Sequence, residues 1–145
     1  MNPPLSQCDF SDPASVVFHF ISAMNAWELK SWQSQRANRG AVDVAVHQSG
    51  ILDDMQTIFA LYCTPKKRAN GRNGSFQRPP EYDPVRERIL HFREDEDGKH
   101  AFVTTYREGT LGGGHHKYTL VRRTGKWFID TLKRQTGDEW RNAIL

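Results

Sequence analysis

Cysteine is nearly absent from this chain, which holds only Cys8 and Cys63 in 145 residues. Cys8 sits in a polar leader and Cys63 at the end of an apolar helical run, with no metal-ligand spacing between them. A disulfide framework is not expected, and both read as free thiols in a reducing compartment. Long apolar runs are also missing. Nothing approaches the roughly eighteen residues that a membrane span needs. Met1 to Gln7 has neither the basic region nor the apolar core of an export signal. The expectation is a cytoplasmic protein that does not engage membranes. An excess of one charge is lacking as well: 20 Lys and Arg against 17 Asp and Glu leave a net charge of +3. That small surplus does not favour nucleic acid as a partner.

Bulky aromatics are present. The hydrophobic fraction is only 37%, but four Trp, four Tyr and eight Phe supply large side chains for burial. The length suits one core, so residues 1–145 are read as a single domain with a structured core over about 13–140.

Asp12 and Pro13 open a first helix: the carboxylate caps orphan backbone donors, and proline fits the first helical position. Val16, Val17, Phe20, Ile21, Met24 and Trp27 then recur at helical spacing, and Gly40 predicts a stop between about 35 and 39. Val42 to Val46 reads as a short strand or extended linker broken at Gln48-Ser49-Gly50. A second helix is marked by Ile51, Leu52, Met55, Ile58, Phe59 and Tyr62, with Asp53 and Asp54 placed near its positive end and Pro65 forbidding continuation.

Residues 65–84 show no helical or strand period and concentrate Lys66, Lys67, Arg68, Arg72 and Arg78 ahead of Glu81. A loop this long within a compact domain is usually functional or disordered. From Val85 the period becomes two. Arg86 to Arg93 and Lys99 to Arg107 read as a hairpin around the acidic turn Glu94-Asp95-Glu96-Asp97-Gly98, and Lys117 to Arg123 and Trp127 to Leu132 as two further strands across Thr124-Gly125. The sheet is therefore antiparallel with at least four strands, and the fold class is α+β.

Helices first, then a strand meander carrying Phe102-Val103-Thr104-Thr105, Tyr118-Thr119-Leu120-Val121, Trp127-Phe128-Ile129-Asp130 and Gly137-Asp138-Glu139-Trp140, resemble the nuclear transport factor 2-like fold. In that fold helices pack into the concavity of a strongly curved sheet to make a cone. Within it the chain is most similar to immunity proteins of bacterial polymorphic toxin systems. The resemblance implies a non-catalytic protein, without cofactor or metal, that neutralises a cognate toxin by occlusion; the fold also permits a homodimer. It fixes no contact residue.

Contacts are instead nominated from the residues themselves. Arg68, Arg72, Arg78 and Tyr82 of the loop are of types enriched at interface hot spots. Glu94, Asp95, Glu96 and Asp97 either keep a hairpin tip solvated or, against a nuclease toxin, mimic phosphate charge. The alternative is an isomerase- or dehydratase-like enzyme or ligand-binding domain using the cone interior, for which His91, His100, Tyr106, Tyr118 and Asp130 are the available groups. His115-His116 after three glycines reads as a flexible turn, since a metal needs more convergent ligands. The tryptophans at 27, 32, 127 and 140 are assigned to the core or its rim.

Overall fold

The computed structural model describes residues 8–37, 44–66, 80–109 and 112–145. Two helices, α1 (Pro13–Ala37) and α2 (Val44–Tyr62), precede five strands: β1 (Glu87–Glu94), β2 (His100–Arg107), β3 (Gly114–Arg123), β4 (Lys126–Thr136) and β5 (Glu139–Ala143). The strands form one antiparallel sheet in the order β1-β2-β3-β4-β5, curled around the helices.

The start of α1 follows its sequence signals, with the Asp12 carboxylate accepting the Ala14 N–H at 3.0 Å. All six residues of its expected apolar stripe are buried, and they meet Val103, Tyr118, Leu120, Trp127 and Ile129 of the sheet in one core. Trp27 links the two helices by donating its indole N–H to the Ile51 carbonyl at 2.9 Å. At the far end of α2 the Thr64 N–H donates to the Ile129 carbonyl at 2.8 Å. This stitch places the exit of the helix against β4. The four tryptophans divide as expected, with Trp27 and Trp127 buried and Trp32 and Trp140 at the rim.

The extended linker is overturned from Val44 onward. Val44 to Gly50 belongs to α2; β-branched residues lower helix propensity by only tenths of a kcal/mol, and a mid-helix glycine costs about 1 kcal/mol, which packing outweighs. Asp53 and Asp54 consequently lie mid-helix, away from its positive end. Asp54 instead faces Lys30 of α1 at 3.9 Å. His115 and His116 are not in a turn but inside β3, and β4 runs on to Thr136, where Gly137, at φ 63°, turns the chain into a fifth strand.

The β3–β4 turn carries strain. Thr124 and Gly125 both have positive φ, 51° and 76°, the geometry of a two-residue turn that favours Asn-Gly. A β-branched residue is poorly suited there. Thr124→Asn is expected to raise stability by about 0.5–1 kcal/mol, read as a higher denaturation midpoint at constant m-value.

Candidate functional site

Alternation along the strands gives the sheet two chemically distinct faces. Val103, Tyr118 and Leu132 lie opposite one another in register and face the helices. One position away, Thr104, Lys117 and Lys133 form a row on the outer side.

The inner face ends in a buried polar cluster that the sequence reading missed. The Glu87 side chain is 0% exposed. Its carboxylate accepts from Thr105 Oγ1 at 2.7 Å, Tyr118 OH at 2.9 Å and Arg107 Nε at 2.9 Å. Arg107 also reaches Glu81 Oε1 at 3.4 Å and lies 5.0 Å from the centre of the Tyr82 ring. Burial pulls against the charged guanidinium, but Tyr118 and Glu87 outweigh it and hold the Arg107 pKa above its ordinary value. Burial first, and then Glu87, pushes the Tyr118 phenol well up, so Tyr118 stays a neutral donor. The detectable signal was parity: Glu87 and Arg107 sit opposite each other at inward-facing positions.

A second buried carboxylate anchors the end of the long loop. Glu28 on α1 accepts the backbone N–H groups of Glu81 at 2.7 Å and Tyr82 at 3.2 Å, and Asn25 donates to the Tyr82 carbonyl at 2.7 Å. Tyr82 itself is 0% exposed, packed edge-on against Phe20 with ring centres 5.4 Å apart. It therefore serves the core, which corrects its nomination as a surface contact. An aromatic closing a polar loop fits either role by sequence, and the clamp from α1 decides it. Arg68, Arg72 and Arg78 lie outside the described residues.

His116 sits on the same inner face, across from Arg134. Burial first, then the positive Arg107, lowers its pKa to about 4. The unfolded chain therefore holds a proton between about pH 6.5 and 4 that the folded chain does not. Folding free energy should accordingly be complete above pH 6.5 and fall as pH drops toward 4. The loss should be on the order of 2 kcal/mol once partial solvent screening is allowed for. Denaturation across that range should show a shallower pH slope in His116→Gln.

The outer face carries aromatic rings with cations lying over them. The guanidinium of Arg93 is 4.4 Å from the Phe102 ring centre, that of Arg88 is 5.2 Å from Tyr106, and Lys117 Nζ is 4.3 Å from Trp140. Phe102, Tyr106 and Trp140 are half-buried. A Cβ on Gly113 would collide with the Tyr106 ring, so glycine there leaves the ring its place.

Next to this face the acidic turn is built as a rigid tip. The Asp97 carboxylate accepts the N–H groups of Lys99 at 2.8 Å and His100 at 3.2 Å and meets His100 Nδ1 at 2.8 Å. The Lys99 backbone bond, then His100, lowers its pKa. Asp95 Oδ1 accepts the Glu96 N–H at 3.0 Å, and Glu94 pairs with Arg122 at 3.4 Å. The ligand atoms of Asp95, Asp97 and His100 come within 4.8 Å of one another, a clustering that the turn itself explains. All four nominated acidic residues are thus brought together at the β1–β2 tip, with Glu94 on the inward side opposite Ala101.

The groups considered for catalysis are not brought together. His91 shares the outer row of Thr104, and Tyr106 is also outward; Tyr118 is bonded to Glu87 inside. Asp130 accepts from Thr64 Oγ1 at 2.7 Å and pairs with Lys66 at 3.2 Å, while His100 closes the acidic turn.

The sequence model of the family described as NTF2 fold immunity protein matches residues 12–143. Immunity protein RhsIA of Dickeya dadantii (strain 3937) is 31% identical over 136 residues, covering 91% of this chain and 95% of that protein. No solved structure gives a significant match. Among the described residues, no helix is long and apolar enough to cross a membrane.

Proposed function

Because the chain belongs to the NTF2-fold immunity protein family, we propose that it neutralises a cognate bacterial toxin by binding it through the outer face of the sheet and the adjoining acidic tip. Neutralisation is steric and involves no chemistry on the toxin. The observation carrying this reading is the set of half-buried aromatics on β2 and β5, Phe102, Tyr106 and Trp140, each lying under a cation. Aromatic and Arg side chains dominate interface hot spots, and a ring already held by its neighbours loses little entropy on contact. Glu94, Asp95, Glu96 and Asp97 add a negative edge suited to a basic cleft, as in a nuclease, where charge complementarity speeds encounter and rejects wrong partners. Arg68, Arg72 and Arg78 extend the contact from the loop.

The test is capture from the native host by a tagged copy of this protein, washed at high salt to strip weakly held electrostatic passengers. One stoichiometric partner that kills cells when expressed without this protein is the expected result. Recovery of no such partner from toxin-producing cells counts against the reading.

A further inference from the structure

The outer face of the sheet carries charge of one sign. Strand register sets Arg88, Arg93, Lys117 and Lys133 on that side, with the opposed pair Arg123 and Lys126 at its far end, while Glu87, Glu94 and Glu139 fall on the other parity. Asp130 lies in the bulge between Ile129 and Thr131, where Thr64 and Lys66 engage it. A net charge of only +3 for the whole chain hides this segregation.

Arg88 is balanced by Glu108 at 3.5 Å, whereas Arg93, Lys117 and Lys133 have no carboxylate partner among the described residues. Lys117 and Lys133 stand directly opposite each other, and like charges so placed destabilise a sheet. Partial burial first, then Arg93 and Lys133, lowers the Lys117 pKa. Negative charge brought in from outside relieves this repulsion.

Two observations favour protein over nucleic acid as its source. Phe102, Tyr106 and Trp140 are already covered by Arg93, Arg88 and Lys117, so base stacking, on which single-strand binding relies, would have to displace the cations. Asp95, Glu96 and Asp97 at the adjoining tip repel a polyanion, whereas a protein surface can answer both signs.

We propose that the toxin sets a patch of Asp and Glu side chains against Arg93, Lys117 and Lys133. This rests on the outer-face reading and specifies the chemistry of the partner. Opposed charge there steers encounter as well as contact.

The test is the association rate of the captured toxin with this protein, measured at low and at physiological ionic strength. Arg93→Glu combined with Lys133→Glu should slow association at low salt by about tenfold or more and flatten its salt dependence. Lys133→Glu removes the like-charge pair with Lys117, so the unfolding midpoint should not fall, and Lys133→Gln should slow association less. A single-stranded oligonucleotide added to this protein alone should leave the Trp140 indole N–H signal in place; a saturating shift at physiological salt overturns the assignment to protein. Trp140→Ala separates the two claims. If it weakens affinity while the charge reversals leave the association rate unchanged, the acidic patch is overturned and the outer face stands. If no variant changes binding, both fall.

Discussion

Replacing Glu87 by Ala is expected to destabilise the protein by about 3–5 kcal/mol, corresponding to roughly a 10–16 °C fall in Tm for a chain of this length. The carboxylate is fully buried and is a shared acceptor for Thr105, Arg107 and Tyr118. Its removal strands a guanidinium whose side chain is only 13% exposed, leaving Glu81 at 3.4 Å as its nearest ion partner. The penalty arises from the uncompensated charge more than from the lost bonds. Combining Glu87→Gln with Arg107→Met should therefore recover most of the stability, because both charges leave together. Denaturation of Glu87→Gln, Arg107→Met and the double variant forms a cycle whose coupling term reads the pair directly. A Glu87→Ala loss below about 1 kcal/mol would mean that water reaches the cluster.

The second large effect concerns the outer face. Trp140→Ala and Arg93→Ala should each weaken toxin binding by about 2 kcal/mol, roughly thirtyfold, and together by on the order of 10³. Both side chains lie outside the buried core, one half-buried and one exposed, so stability should change by no more than about 1 kcal/mol. Lys30→Ala, on an exposed helix surface where its Asp54 pairing is weak, is the matched control and should leave affinity unchanged. Equal affinities for Trp140→Ala and Lys30→Ala would move the interface off the sheet.

How much of this was readable from sequence depended on whether the signal was local. Both apolar helix stripes, the Asp12-Pro13 start and the β1–β2 hairpin follow from periodicity and capping, and the structure reproduces them with shifts of about one residue at the strand ends. The order of the strings in the final third also carried the fold and the family. The start of α2 was misread because Val42 to Val46 looks locally extended, while the contact between Trp27 and Ile51 that helps fix the helix is long-range. The fifth strand was not recognised because Glu139 to Ala143 is mostly exposed and shows little apolar alternation.

For the candidate site, the acidic turn and its neighbours were visible as a charge run, but its rigidity was not, since it comes from Asp97 bonding to Lys99 and His100. Tyr82 was assigned to the surface because no local pattern reveals that Glu28 and Asn25, more than fifty residues earlier, draw it inward. Glu87, Arg107 and Tyr118 were all within reach of a parity argument. A charge at an inward strand position opposite another charge of opposite sign is a buried pair, and testing each charged strand residue for that parity would have found it.

The central claim, inhibition by occupancy, is tested most directly by titrating purified protein into its purified cognate toxin and following residual toxin activity. Activity should fall linearly to an endpoint at one inhibitor per toxin, and toxin separated by denaturation and refolded should regain full activity with unchanged mass. Complete inhibition at well below one equivalent, or a toxin whose mass has changed, would contradict the account and identify this protein as a catalyst.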